Sequence, residues 1–99
     1  MLRTVYIEPE VDDRLREEAQ QTGMSKAELF RCYLRAGVRS VRADPDLALP
    51  QPRPVDAPPL VLRTAHVDAA IDDWLRVRAF DAHVPQSDYT RWCLAVGMQ

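Results

Sequence analysis

The sequence predicts a mainly α-helical protein with a two-stranded antiparallel β-ribbon, formed by two copies of one unit that pair about an approximate two-fold axis. Two observations lead to this prediction. The first part of the 99-residue chain recurs at an offset of 60 residues, and each copy has the pattern of one strand followed by two helices. A unit of about 40 residues buries too little apolar surface to fold alone, so each copy needs the other or a second chain. A repeat present only twice favours a pseudo-two-fold pair over a solenoid.

The two copies are residues 1–39 and 61–99, which align without gaps. Eleven aligned positions are identical, and several others keep their chemistry, as where Ile7 corresponds to Val67 and Glu8 to Asp68. The identical residues, numbered in the first copy, are Leu2, Arg3, Thr4, Asp12, Asp13, Leu15, Arg16, Ala19, Arg31, Leu34 and Gly37.

The first copy begins with an alternating segment, residues 2–8, which predicts a β-strand. Val5 and Ile7 lie on one face of that strand, while Thr4 and Tyr6 lie on the other. Residues of these types favour strands, and the proline that follows ends the segment. We therefore expect one buried and one exposed face.

An amphipathic helix follows, because Val11, Leu15 and Ala19 recur at four-residue spacing among charged residues. Asp12 and Asp13 lie in its first turn, where the helix dipole favours negative charge. The dipole accounts for this pair of carboxylates without a catalytic role, and the sequence does not predict an enzyme. The helix should end at the next Thr-Gly pair, since glycine permits a left-handed cap.

A second helix is predicted after a capping box at residues 25–28, in which Ser25 and Glu28 bond to each other's backbone amides. Its apolar residues cover a wide arc, which requires burial on several sides. They are Leu29, Phe30, Tyr33, Leu34 and Val38.

The second copy repeats this pattern with local departures, and a proline-rich segment joins the copies. Residues 40–60 contain six of the eight prolines, which predicts an extended linker long enough for the copies to pair within one chain. Ala65 and Val67 are expected to face inward. The departures from the first copy include Gly23 to His83, Ser25 to Pro85, Lys26 to Gln86 and Arg14 to Trp74.

Composition limits the classes of function. The net charge of −2 gives no overall attraction for polyanions, so any nucleic-acid affinity must come from a local arrangement of side chains. Cys32 and Cys93 do not align, and without a metal-ligand spacing we expect two buried free thiols, no metal and no cofactor. The chain has no bilayer-length apolar run and no signal peptide, which favours a soluble cytoplasmic protein without membrane partners.

The order of elements and several segments resemble the ribbon-helix-helix (Arc/MetJ-like) family of DNA-binding proteins. The resemblance depends on the strand Arg3-Thr4-Val5-Tyr6-Ile7, the helix end Thr22-Gly23 and the segment Met24-Ser25-Lys26-Ala27-Glu28-Leu29-Phe30-Arg31. It covers the first copy and, through the duplication, most of the second. It implies two ribbon-helix-helix repeats in one chain, a covalently linked equivalent of a dimer, as in tandem members of the family from conjugative plasmids.

In that family a two-stranded ribbon enters the DNA major groove, and the start of the second helix holds a phosphate. The resemblance implies that Thr4, Tyr6, Thr64 and His66 contact bases. The implied phosphate contacts are Arg3, Arg63, Ser25, Lys26 and Gln86. The two arginines share the face of the buried strand residues, so we expect them to reach phosphates by extending past the ribbon ends.

Two functions follow as expectations. The first is a sequence-specific DNA-binding transcriptional regulator, repressor-like, or a plasmid or phage accessory factor. The alternative is a protein-binding module on the same scaffold, such as an antitoxin or an inhibitor of a bacterial or phage protein complex. Trp74, in place of an exposed arginine, either covers the linker or a neighbouring molecule, or marks a protein contact. The chain is expected to be a monomeric pseudo-dimer, with a repeat-swapped dimer also possible.

The copies agree mainly at core and helix-end positions and differ at their outward positions. Glu8 and Asp68 place acidic groups on the proposed DNA face, which opposes binding there. Whatever surface this protein recognises is therefore expected to be asymmetric.

Overall fold

The computed structural model describes residues 1–48 and 53–99 and has the order strand, helix, helix in each copy. The mainly α-helical class with a two-stranded antiparallel ribbon is confirmed. The elements are β1 (Leu2–Ile7), α1 (Pro9–Thr22), α2 (Lys26–Ala43), a 3-10 turn (Pro45–Leu47), β2 (Val61–His66), α3 (Ala69–Ala82) and α4 (Gln86–Gly97).

The segment predicted as an extended linker, residues 40–60, starts inside a helix. α2 continues to Ala43, and the 3-10 turn follows it directly. Val41 is fully buried, so this end of α2 belongs to the core. The part of the predicted linker at residues 49–52 lies outside the described residues.

The ribbon forms between the two strands of this one chain. β1 and β2 pair antiparallel, and exchanging the copies leaves the register unchanged. Met1 and Val67 extend the ladder by exchanging two backbone hydrogen bonds of 2.7 and 2.8 Å. The paired residues are Leu2 with His66, Arg3 with Ala65, Thr4 with Thr64, Val5 with Arg63, Tyr6 with Leu62 and Ile7 with Val61.

The inner face of the ribbon covers a core supplied by both copies. Val5 and Ile7 are buried as predicted, and so are Ala65 and Val67. The helices contribute the apolar stripes that the sequence indicated, so the hydrophobic effect holds the copies together in one core. The buried helical residues are Leu15, Leu29, Phe30, Leu34, Val38, Val41, Leu75, Ala79, Tyr89, Trp92, Cys93 and Leu94, and Met98 is buried just after α4.

Local capping follows the sequence in the first copy. Gly23 ends α1 with a φ of 75°, and His83 adopts the same left-handed conformation after α3 with a φ of 59°. Ser25 accepts a hydrogen bond of 3.1 Å from the amide of Glu28. The reverse bond of the capping box is not found among the hydrogen bonds of the described residues. The cap is therefore only half of the predicted box.

α2 and α4 cross with their backbones in contact. A Cβ atom on Gly37 would lie 1.8 Å from the carbonyl oxygen of Cys93, and one on Gly97 would lie 1.9 Å from that of Tyr33. Real Cβ atoms do not approach other atoms so closely, so no larger residue fits without moving the helices. This position is therefore glycine in both copies, because the crossing of the two helices is symmetric.

The two thiols differ in environment. Cys93 is buried, and burial raises its pKa to about 12. Cys32 is exposed, so the expectation of two buried thiols is wrong for this residue. Cys32 lies on the outer side of α2, whereas Trp92, at the aligned position of α4, is buried.

Replacing Gly37 by Ala is expected to destabilise the protein. In an open helix this change adds about 1 kcal/mol of helix stability, but here the new methyl group overlaps the α4 backbone. Overpacking of this kind costs about 1–3 kcal/mol, so the net free energy of unfolding should fall.

Urea unfolding followed by circular dichroism measures this effect. Ala36→Ser, one residue away on an exposed position of the same helix, is the control and should change stability by less than about 1 kcal/mol. A Gly37→Ala variant more stable than the parent would contradict the close crossing.

Candidate nucleic-acid interface

The outer face of the ribbon carries all four residues predicted to contact bases. Thr4, Tyr6, Thr64 and His66 are exposed and lie on one face, because side chains in a strand alternate between its two sides. The two threonines are directly opposite each other at the middle of the ribbon. The geometry thus brings these residues together, and their contact with bases stays a prediction.

The same face is more apolar than the predicted contacts suggest. Leu2 is 61% exposed, and Tyr6 and Leu62 are each 48% exposed. Tyr6 and Leu62 form one end of the face, and Leu2 and His66 form the other. Each end therefore combines a leucine with an aromatic ring that has a polar group.

Two aspartates lie buried beneath the ribbon. Asp12 is 2% exposed and Asp72 is 1% exposed, and each binds an arginine from the strand of the other copy. Arg3 donates two hydrogen bonds of 2.7 Å to Asp72. Arg63 donates bonds of 3.0 and 2.9 Å to Asp12. These bidentate ion pairs connect the two copies and are related by the approximate two-fold axis.

The predicted phosphate-contacting side chains at the helix starts reach the same carboxylates. Lys26 forms an ion pair with Asp12, and Arg16 adds a bond of 3.0 Å to that residue. Gln86 donates a bond of 2.8 Å to Asp72. Both aspartates are thus satisfied by several donors, as buried charges require.

Arg3 and Arg63 were expected to extend past the ribbon ends toward phosphates, but in the structure they bind aspartates. The guanidinium groups of Arg3 and Arg63 turn inward to the buried aspartates and stay partly exposed. The dipole interpretation of Asp12 missed its burial. The available signal was the joint identity in both copies of an arginine on the buried strand face and an aspartate on the next helix. Contact of either arginine with a phosphate stays a prediction.

Hydrogen bonding lowers the pKa of both buried aspartates. At Asp12, burial raises the pKa, but the hydrogen bonds and positive charges of Arg63 and Lys26 together outweigh it. At Asp72, the hydrogen bond from Arg3 lowers the pKa and exceeds the opposing effect of burial. Both carboxylates are therefore charged at neutral pH.

The start of α4 is attached to the ribbon edge through a residue that sequence reasoning missed. The Ser87 hydroxyl accepts a hydrogen bond of 3.0 Å from the backbone N–H of Tyr6. Ala27 occupies the aligned position at the start of α2 and has no hydroxyl. Ser25, the predicted phosphate contact beside it, uses its hydroxyl in the helix cap. The two helix starts are therefore chemically different.

The acidic residues next to the ribbon have cationic partners. Arg35 donates a hydrogen bond of 3.0 Å to Asp68, which lowers the pKa of that carboxyl. Arg91, almost fully buried, lies 3.8 Å from a Glu8 carboxylate oxygen. These pairs reduce the repulsion that the acids would exert on a polyanion.

Trp74 is not the exposed residue that the alignment with an exposed arginine suggested. Its ring is half-buried, with its centroid 6.1 Å from that of Tyr89 in an edge-on arrangement. The Arg42 guanidinium lies 5.3 Å from the ring centroid. Both neighbours belong to helices, Tyr89 to α4 and Arg42 to the last turn of α2, so coverage of the linker by Trp74 stays a prediction. A protein contact at Trp74 stays a prediction.

Comparison with known proteins identifies the first copy. Residues 4–39 match the model of the copG family of ribbon-helix-helix proteins. The first copy is a ribbon-helix-helix unit. Members of this family are typically DNA-binding transcription regulators. No curated protein and no solved structure matches the chain.

The ribbon-helix-helix match includes β1 from Thr4 onward, all of α1 and most of α2, and the second copy lies outside it. Across the described ranges 1–48 and 53–99, no helix has the length and apolar character needed to cross a bilayer. The same ranges contain no group of three or more His, Cys, Asp or Glu side chains placed to hold a metal ion.

Replacing Asp72 by Asn should lower stability at neutral pH by about 1.5–3 kcal/mol, the usual contribution of hydrogen bonds to a charged group. The folded-state pKa of Asp72 lies below its ordinary value near 3.9. Its charge therefore stabilises the fold above about pH 4, and this stabilisation is lost as the pH falls through the lowered value. Between pH 5 and 2, roughly, the parent should lose more stability than the variant.

Urea unfolding at a series of pH values measures both effects. Asp73→Asn is the matched control, because that neighbouring aspartate is exposed and pairs only with Arg76 along the helix, among the described residues. It should change stability by less than about 1 kcal/mol. Equal losses in the two variants would contradict a special role for the buried carboxylate.

Proposed function

We propose that this chain is a sequence-specific DNA-binding transcriptional regulator, repressor-like, that inserts its β-ribbon into the major groove. The observation that carries the proposal is the exposed outer face of the ribbon, where Thr4, Tyr6, Thr64 and His66 lie together. A two-stranded ribbon fits the width of the major groove, where base edges differ in their hydrogen-bonding groups. Hydroxyl, phenol and imidazole groups donate and accept such bonds.

Contacts to the DNA backbone would come from the helix starts beside the ribbon. The N-termini of α2 and α4 offer backbone N–H groups and a positive dipole end to a phosphate. Ser25 and Lys26 stand at the first of these starts and Gln86 at the second. Lys26 keeps a third of its side chain exposed while it pairs with Asp12. A phosphate there would compete with Asp12 for the ammonium group.

A second candidate function is protein binding by the same scaffold, as in an antitoxin or an inhibitor of a bacterial or phage protein complex. The observation that favours it is the apolar part of the ribbon face, formed by Leu2, Tyr6 and Leu62. Apolar groups on a strand face also contact thymine methyl groups, so this feature is compatible with both functions. Recovery of a stoichiometric protein partner, with no retention of duplex DNA, would favour the second.

The Thr4→Ala/Tyr6→Ala double variant should bind its DNA target at least about tenfold more weakly. Each good base contact contributes about 1–3 kcal/mol, and tenfold corresponds to about 1.4 kcal/mol. The measurement is a fluorescence titration of a labelled duplex, enriched beforehand from a random pool. Parent affinity should fall as salt rises, because bound phosphates release counterions.

The control is Gln20→Ala/Gln21→Ala, a double change of exposed residues on α1 away from the ribbon. It should leave the affinity unchanged. If the ribbon variant bound as tightly as the parent, base contact by this face would be wrong.

We also propose that the chain is monomeric in solution. The partner strand that each copy requires is supplied within the chain, so a second chain is not needed to complete the ribbon. Light scattering at dilute concentration should give the mass of one chain. A dimer that persists on dilution would instead support exchange of copies between two chains.

A further inference from the structure

We infer, on the basis of the proposed function, that the DNA target is a non-palindromic duplex to which the chain binds in one orientation. A ribbon with identical strands presents the same groups at both ends, and so fits two identical half-sites. Here the ends of the ribbon differ in their side chains and in the hydrogen bonds that attach the strand backbone to the neighbouring helix.

The framework beneath the ribbon is symmetric. The Arg3–Asp72 and Arg63–Asp12 ion pairs are equivalent under exchange of the copies, and so is the strand register. The central threonine pair is also the same in both strands. The two ends of the ribbon are thus geometrically equivalent, and a difference in recognition must come from the side chains at those ends.

Each end of the ribbon has a leucine, and the two ends differ in the aromatic residue beside it. Leu62 and Tyr6 form one end, and Leu2 and His66 form the other. Tyr6 and His66 are aligned in the two copies, as are the two leucines. The phenol has a single hydroxyl at the far end of its ring, whereas the imidazole has two nitrogens on a shorter side chain. They therefore suit different base edges at different depths in the groove.

The structure also holds the two ends differently. The Ser87 hydroxyl accepts a hydrogen bond of 3.0 Å from the backbone N–H of Tyr6, which attaches this strand edge to the start of α4. At the other end, the side chain aligned with Ser87 is the methyl group of Ala27. Ser87 is thus a positioning residue for Tyr6, and the base contact at that end should be the more selective one.

The charge beside the two strands is unequal as well. Three cationic side chains bind Asp12, namely Arg63, Lys26 and Arg16. Within the described part of the chain, Asp72 has a single cationic partner, Arg3, and the neutral Gln86 amide. Arg76, which is aligned with Arg16, also acts on Asp72 through its charge, so the difference between the two sides is Lys26 in place of Gln86. This additional cation should hold a phosphate more strongly on the α2 side, which adds a second preference for one orientation.

The test is selection of bound duplexes from a random pool by the full chain and by a His66→Tyr/Ala27→Ser variant. This variant gives both ends a tyrosine and both helix starts a serine, at positions that are exposed in the structure. The parent should enrich a consensus with two different half-sites. The variant should enrich a palindrome containing two copies of one parental half-site.

A matched control carries the same residue types at exposed positions away from the ribbon, Gln20→Tyr/Ala36→Ser, and should enrich the parental consensus. Reversing one half-site in the parental duplex should weaken parent binding by about tenfold or more. Ser87→Ala should reduce selectivity at the half-site bound by Tyr6 and leave the other half-site unchanged.

The outcomes separate this inference from the proposed function. A palindromic parental consensus would overturn the inference and leave DNA recognition by the ribbon intact. An asymmetric consensus that persists in the His66→Tyr/Ala27→Ser variant would overturn the assignment to these residues. Absence of any enriched duplex, with no salt-dependent binding, would overturn the proposed function itself.

Discussion

The reciprocal ion pairs between strand arginines and buried helix aspartates constrain the rest of this structure. Arg3 and Arg63 each cross to the other copy, where Asp72 and Asp12 are almost completely buried. A carboxylate in such a place requires its cation, because an unpaired buried charge is strongly unfavourable. A slip of either strand by one residue would turn the arginine of that strand to the outer face, away from its aspartate. The ion pairs thus favour the register that exposes Thr4 and Thr64.

The close crossing of α2 and α4 imposes a second constraint at the other side of the core. Gly37 and Gly97 lie where the two backbones touch, and this contact fixes how near the two helix pairs approach. The ribbon and the crossing are both symmetric under exchange of the copies. Together they leave the ends of the ribbon equivalent in position, so the outward side chains are free to differ without disturbing the fold.

Divergence between the copies is concentrated where the core does not constrain it. The predicted phosphate contact at the start of the second helix is Lys26 in one copy and Gln86 in the other, yet both side chains reach the buried aspartate. The exchange of Ala27 for Ser87 adds a bond to the ribbon edge without altering the helix. Surface chemistry has therefore changed while the buried polar network kept its geometry, which is compatible with an asymmetric binding partner.

The sequence by itself determined the features that depend on neighbouring residues. Alternation placed Val5 and Ile7 in the core, and glycine at position 23 predicted the left-handed end of α1, because strand faces and helix caps are local properties. The duplication added the pairing of the strands, since a lone strand is not stable. These inferences required no knowledge of which distant side chains meet.

Only the tertiary structure decided the rest, for the opposite reason. The burial of Asp12 depends on Arg63, a partner 51 residues away, and no local pattern distinguishes it from a helix-start acid. The half-buried position of the Trp74 ring likewise depends on Tyr89 and Arg42. The extension of α2 to Ala43 depends on packing in the core. Contacts between distant segments form only once the chain has folded, so their chemistry follows from the assembled geometry.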